Sequence, residues 1–168
     1  TEGGYTFSNL EYTVNNSEWA SVAIGTEIPF GGAKGNLRLR GINPNGTATE
    51  LYAYSTIKFT EANVNVACTG DIRTLLDWRN YNIVETRNAR FCYLFNDCAV
   101  LTSAPELPAT KLAVSCYTSM FAGCTSLTAA PELKTTELAA SCYNNMFYGC
   151  TSLKSDPEIK DTTLENVC

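Results

Sequence analysis

The chain contains no histidine, which removes the commonest general base and the commonest neutral metal ligand. Without it, neither a Ser/His/Asp set nor a Cys/His pair can be assembled. There is no basic run either. Twelve lysines and arginines stand against 17 acidic residues, for a net charge of −5, which argues against a nucleic-acid partner. No apolar stretch approaches the roughly 18 residues that cross a bilayer, so no membrane span is expected. No two cysteines have the C-x-x-C spacing of a zinc knuckle or redox motif. No initiator methionine or signal peptide opens the chain. Thr1 leads directly into strand-like sequence, as in a processed or excerpted chain. What is there, 168 residues at 45% apolar and 17% charged, is enough for one large domain or two small ones.

The second half carries a repeat of 26 residues. Cys116, Tyr117, Met120, Phe121, Gly123, Cys124, Thr125, Ser126 and Leu127 recur as Cys142, Tyr143, Met146, Phe147, Gly149, Cys150, Thr151, Ser152 and Leu153. Fourteen of the 26 columns are identical between these two blocks, too many for chance similarity. An earlier block keeps Phe95, Cys98, Leu101, Pro105, Glu106, Leu107, Thr110 and Leu112 in phase. A fixed period of this length predicts a solenoid, whose units bury their apolar faces against their neighbours and present an extended surface for binding.

Within a unit, Thr136 can cap a helix and Glu137 sits where the helix dipole favours an anion. Leu138, Cys142, Met146 and Phe147 then fall on one helical face, and Gly149 suits the left-handed position that closes it. Cys150 to about Ser155 reads as a short strand centred on Leu153, ended by Pro157. Upstream, Leu10–Val14, Glu18–Ile24, Asn36–Gly41, Ser55–Thr60 and Asn63–Thr69 read as short strands. Asn15-Asn16-Ser17 and Asn43-Pro44-Asn45-Gly46 supply turns, and Arg38 and Arg40 lie on a wet face. Gly70-Asp71 can cap a helix that begins near Ile72, and a second helical stretch runs from about Arg87 to Asn96. The expected fold class is α+β: a small N-terminal antiparallel β-sandwich-like domain over 1–69, a helical cap over 70–89, and an α/β solenoid of about three units over 90–168.

Six of the eight cysteines belong to the repeat. Cys98, Cys124 and Cys150 occupy one column and Cys116, Cys142 and Cys168 another, with Cys68 and Cys92 outside. Buried thiols used as packing residues, disulfides and a metal site are three readings of such a set, and the first is preferred because free cysteine packs as a small hydrophobe. Asp71, Asp77 and Glu85 are the carboxylates that convergence would have to bring together for acid/base work. Asp156, Glu158 and Asp161 form an acidic run without the dense spacing of a calcium loop. Asn15-Asn16-Ser17 and Asn45-Gly46-Thr47 match the glycosylation acceptor pattern. No catalytic residue, cofactor or metal is assigned.

The string Cys-Tyr-x-x-Met-Phe-x-Gly-Cys-Thr-Ser-Leu, with Ala-Pro-Glu-Leu-Pro-Ala-Thr-x-Leu-Ala, resembles the BspA-like leucine-rich repeats. These occur in surface proteins of Bacteroides and related gut and oral bacteria, and in some protozoa. Similar repeats behind a small β domain occur in proteins of their phages. The resemblance covers residues 90–168, and more loosely 1–89. It implies a non-enzymatic adhesion or recognition module, at the cell surface or extracellular, that binds a host or bacterial surface protein or glycan. The alternative it implies is a virion component such as a tail or head fibre. If Leu101, Leu127 and Leu153 point inward, the outward columns are Thr102, Thr128 and Lys154, then Ala104, Ala130 and Asp156, which form the candidate binding face with Tyr148. Leu164 and Cys168 begin a further unit without its Met and Phe. This leaves the face of Met146, Phe147 and Leu153 half covered and open to self-association or to more repeats.

Overall fold

The computed structural model describes residues 3–5 and 8–159. Strand β1 (Leu10–Val14) turns at Asn15 and Asn16, whose φ angles are 52° and 60°, into β2 (Ala20–Ser21). Asparagine tolerates this left-handed geometry, which is why the turn was legible. On its other edge β1 pairs antiparallel with β3 (Leu37–Gly41), placing Glu11 opposite Arg40. Strands β4 (Ala48–Glu50) and β5 (Ala53–Tyr54) form a separate antiparallel pair. Strand β6 (Val66–Ala67) pairs parallel with β7 (Leu101–Ser103), the strand of the first repeat.

The expected α+β architecture is corrected on both sides. Among the described residues no second sheet covers the first to make a sandwich; β3 packs instead on a 3-10 turn, Ile72–Leu75. Among the described residues there is no α-helix, in the repeats or over 70–89, so the α/β solenoid is not formed. Asp71 does cap, accepting the Arg73 amide at 2.8 Å, but the element it caps is that single 3-10 turn. Gly149 is left-handed at φ 75° and yet closes no helix, and Thr136 caps none, donating instead to the Thr110 carbonyl.

What replaces the helix is a run of turns whose backbone bonds alternate. Cys116, Thr118, Met120, Ala122 and Cys124 donate to the carbonyl three residues back, at 3.0–3.3 Å. Ser115, Tyr117, Ser119, Phe121 and Gly123 donate outward, to Ala140, Cys142, Asn144, Met146 and Tyr148 of the next unit, at 2.8–3.0 Å. One unit earlier, Phe91, Tyr93, Phe95 and Asp97 donate in the same way to Cys116, Thr118, Met120 and Ala122. Every amide from 115 to 124 therefore has a partner, and none is the i−4 bond of an α-helix.

The sequence permits this. Residues 113–124 are rich in Ser, Thr, Cys, Val and Gly, which gain little from a helix. Left-handed residues recur every fourth position, at Ser115, Ser119 and Gly123 and at Ser141, Asn145 and Gly149. Tyr93 shares this conformation at φ 60°, and its ring lies 4.3 Å from that of Tyr54. Core residues then recur every four: Leu112, Cys116, Met120 and Cys124 in one row, Ala113, Tyr117 and Phe121 in the next, all buried. A strict period of four is close enough to 3.6 to read as a helical face over a dozen residues.

Side chains continue the same register between units. The rings of Phe91, Tyr117 and Tyr143 stack at 5.9–6.1 Å, and those of Phe95, Phe121 and Phe147 at 5.6–5.7 Å. Cys124 Sγ donates to the Phe95 carbonyl and Cys150 Sγ to that of Phe121, each at 3.1 Å. Parallel bridges join Leu107 to Leu133 and Leu133 to Ile159.

The segment 45–68 meets the first unit with the chemistry the units use on each other. Thr47, Ile57 and Val66 donate amides to Arg90, Leu94 and Val100, and Cys98 Sγ donates to Ile57 as the later cysteines do to phenylalanines. Gly46 fits this joint only as glycine: it has φ 84°, and a Cβ would lie 2.1 Å from the Arg90 carbonyl.

Two outcomes follow from this packing. Far-UV circular dichroism should lack the paired minima of α-helix, and a strongly helical spectrum would contradict the turn run. Phe121→Ala, at a ring with no exposure that is stacked on both sides, should cost about 3–5 kcal/mol in urea unfolding; a cost under about 1 kcal/mol would mean the column is not load-carrying.

Candidate functional site

The first candidate column is contiguous in space. Thr102 lies in β7 and its hydroxyl donates to the Val66 carbonyl at 3.1 Å. The Thr128 amide and hydroxyl both reach the Thr102 carbonyl at 3.4 Å, and the Lys154 amide reaches Thr128 at 3.4 Å. These contacts are long, and 127–129 and 153–155 do not complete strands beside β7. Thr128 and Lys154 are exposed, so the column presents a hydroxyl and an ammonium from neighbouring units. The second column is less uniform. Ala104 is half-buried against the core, Ala130 is half-buried, and Asp156 is exposed. Tyr148 is 75% exposed, in the last of the described units.

Beside it lies a hollow of about 500 Å³, lined by Leu133, Tyr143, Met146, Phe147, Tyr148 and Ile159 among others. Its walls are the columns that bury Tyr117, Met120 and Phe121 one unit earlier. Tyr143 and Phe147 are half-buried where Tyr117 and Phe121 are fully buried. Of the three residues expected to form a half-covered face, Phe147 and Leu153 are half-buried, whereas Met146 is buried. Leu164 and Cys168, which were expected to begin a further unit there, lie outside the described residues.

A second feature, on the N-terminal sheet, was not legible beyond the wet-face arginines. The Arg40 guanidinium lies 3.9 Å from the ring centroids of both Trp19 and Trp78, and its Nε is 2.7 Å from Glu11. Arg38 and Arg79 approach the same two rings at 5.9 and 5.2 Å. The cross-strand position of Glu11 opposite Arg40 is the one sequence signal that could have suggested it. The arrangement is a cation–π clasp that ties β3 to the segment after the 3-10 turn.

The carboxylates do not converge on a reaction centre. Asp71 is 2.7 Å from the Arg73 guanidinium. Asp77 accepts from the Arg79 amide and the Asn80 side chain, and these bonds, that of Asn80 first, hold its carboxyl below the usual value. Glu85 accepts the Arg87 amide, which likewise lowers it. Across units, Glu137 bridges Lys111 at 2.8 Å and Arg87 at 3.3 Å, and the Lys111 hydrogen bond lowers its carboxyl. The first three are local braces, and Glu137 braces one unit against another. Among the described residues no His/Cys/Asp/Glu group has the geometry of a metal site; Asp161 lies outside them. In the two acceptor motifs, Asn15 Oδ1 accepts the Asn36 amide and Thr47 is fully buried. No helix among the described residues is long and apolar enough to cross a membrane.

Among the described residues no disulfide forms. Burial pushes the thiols of Cys68 and Cys92 up to about 11, against smaller lowering by backbone hydrogen bonds, and those of Cys98 and Cys124 to about 12, with neighbouring charges secondary. Burial also raises Cys116 and Cys150. A protonated thiol that donates to a carbonyl is a poor nucleophile, so these cysteines pack rather than react.

No protein-family model, curated protein or solved structure matches the chain.

The thiols set an alkaline limit. Their pKa values are raised in the folded state, so their contribution is complete below about pH 9 and is lost as pH rises towards the folded values. Urea midpoints should be flat in this term up to about pH 9 and then fall, each of Cys98 and Cys124 contributing a slope of up to about 1.4 kcal/mol per pH unit. A midpoint that rises from pH 9 to pH 10.5 in reductant would contradict the buried-thiol assignment.

Proposed function

We propose that the chain is a non-enzymatic recognition module of the cell surface or extracellular space, binding a protein or glycan partner through the outward columns of its repeats. The observation that carries this reading is the Thr102–Thr128–Lys154 column, a strip across three successive units in which Thr128 and Lys154 expose a hydroxyl and an ammonium, while Thr102 is half-buried with its hydroxyl bonded to Val66. A strip of that kind suits contact with a hydroxylated or anionic surface, and repetition adds weak contacts into a useful affinity. The resemblance of the repeat motif to BspA-like surface proteins supports the same class of function. The absence of histidine and the local bracing of Asp71, Asp77 and Glu85 support a non-catalytic role.

The second reading is a virion component, such as a tail or head fibre. It is favoured by the direct joining of a small β segment to the repeats, an arrangement similar to that in phage proteins. Antibody against the chain that decorates phage particles, and not cells, would select it.

The test of the first reading is binding of the labelled chain to a panel of purified glycans and to intact bacterial cells, beside the double variant Thr128→Arg/Lys154→Glu. Both positions are exposed, so the fold should be unaffected. Saturable binding that falls about tenfold or more in the double variant is expected, corresponding to roughly 1.4 kcal/mol. Binding that is equal in the two proteins would reject the column.

A further inference from the structure

Three of the six arginines are consumed by the fold. Arg73 grips the Asp71 carboxylate through Nε and Nη2, at 2.7–3.1 Å. Arg87 pairs with Glu137, and Arg90 donates to the Val114 carbonyl. The other three, Arg38, Arg40 and Arg79, gather around Trp19 and Trp78. Arg38 and Arg40 stand two residues apart on β3 and so share a face, and Arg79 follows Trp78 directly. Guanidiniums and rings alternate in the order Arg38, Trp19, Arg40, Trp78, Arg79, at guanidinium-to-centroid distances of 5.9, 3.9, 3.9 and 5.2 Å.

Only the middle of this ladder is needed to hold β3 to the segment after the 3-10 turn. Arg40 is half-buried, and its charge is met by Glu11 at 2.7 Å. Arg38 and Arg79 are exposed, and neither guanidinium has an ion pair or a hydrogen bond among the described residues. The carboxylate nearest to Arg79 in sequence, that of Asp77, has its two oxygens on the Arg79 amide and the Asn80 side chain. It offsets part of the Arg79 charge without binding the guanidinium. In a chain of net charge −5, two unmatched guanidiniums at the ends of one array are a local exception. Each lies within about 6 Å of an indole, which narrows its freedom before any anion arrives.

We infer that this ladder is a binding site for an acidic polysaccharide that carries uronate carboxylates. A guanidinium takes a carboxylate through two parallel N–H···O bonds, as Arg73 takes Asp71. Two such receptors at the ends of one array engage two carboxylates of the same sugar chain, and the second contact is strengthened by the first. Between them Trp19 and Trp78 keep part of their surface exposed, an apolar contact for the C–H faces of sugar rings. The net charge of −5 decides against a denser polyanion. Duplex nucleic acid bears one charge per about 1.7 Å, and its repulsion by the whole chain outgrows two contacts. An acidic peptide offers carboxylates on flexible side chains, whose ordering weakens each contact, whereas a uronate carboxylate is fixed to its ring. The site is separate from the outward columns of the repeats and stands whether or not they bind.

The test is titration calorimetry of the whole chain with short oligouronates. Neutral oligosaccharides of the same length, a sulfated dextran, oligoglutamate and duplex DNA run beside them. Saturable binding of the oligouronate is expected, weakening about fivefold or more as salt rises from about 20 to about 200 mM. Arg38→Gln/Arg79→Gln, at two exposed side chains, should weaken it about tenfold or more with an unchanged urea midpoint. Lys58→Gln/Lys134→Gln removes the same charge at two other exposed positions and should bind normally. The Nε–H resonances of Arg38 and Arg79 should shift on binding. Equal losses in these two double variants would overturn the proposal in favour of net charge alone. Absence of binding would also overturn it, as would a neutral, sulfated, peptide or DNA ligand that binds as tightly as the uronate. The variant Thr128→Arg/Lys154→Glu should take oligouronate normally, so failure of the ladder and failure of the outward column are separate results.

Discussion

The constraint on which the rest of this structure depends is the direction of its backbone amides. An α-helix keeps its hydrogen bonds to itself and meets its neighbours through side chains alone. In residues 113–124 every second amide is instead committed to the next unit, while the others close tight turns. Ring stacking between the units at 5.6–6.1 Å and the thiol-to-carbonyl bonds follow from that register. A unit cut out of this arrangement would lose acceptors as well as apolar contacts. Cooperativity between units is therefore built into the main chain as well as the core.

The parts that were legible in the sequence are those where one residue type has one geometric use. The Asn15-Asn16 turn, the Asn43–Gly46 turn with its Gly46 N–H to Asn43 bond, and the strand pair of Leu10–Val14 with Leu37–Gly41 are of this kind. The 26-residue columns told which residues would lie above one another, as the Phe95, Phe121 and Phe147 rings do. The helix was misread because a four-residue turn repeat and a helical face share the i, i+4, i+8 spacing. The distinction lies in Ser115, Ser119 and Gly123, whose left-handed backbone no hydrophobic pattern records. The candidate column of Thr102, Thr128 and Lys154 needed only the period. Its partner column did not come out even, because half-buried Ala104 packs against the core while Asp156 is exposed.

The N-terminal segment belongs to the same logic despite its different sequence. Ile57 receives the Cys98 thiol as Phe95 receives that of Cys124, and Thr47, Ile57 and Val66 supply the amides that a preceding unit would supply. A chain with no repeat motif thus covers the first unit by matching its hydrogen bonds rather than its residues. Two orphaned hydroxyls, those of Thr47 and Ser55, lie buried in this joint. An unmet buried hydroxyl costs on the order of 1–3 kcal/mol, so the joint is the natural place for the structure to open first.

The clasp of Arg40 between Trp19 and Trp78 has an optical consequence. These are the only two tryptophans in the chain, and both rings lie against the same guanidinium. Tryptophan emission therefore observes one spot, the contact between the N-terminal sheet and the segment after Ile72–Leu75. The stacked tyrosines at 117 and 143 sit in the repeats, where there is no indole. Selective excitation of the indoles therefore watches that one contact with no label attached, whereas the nine tyrosines are spread over both parts of the chain.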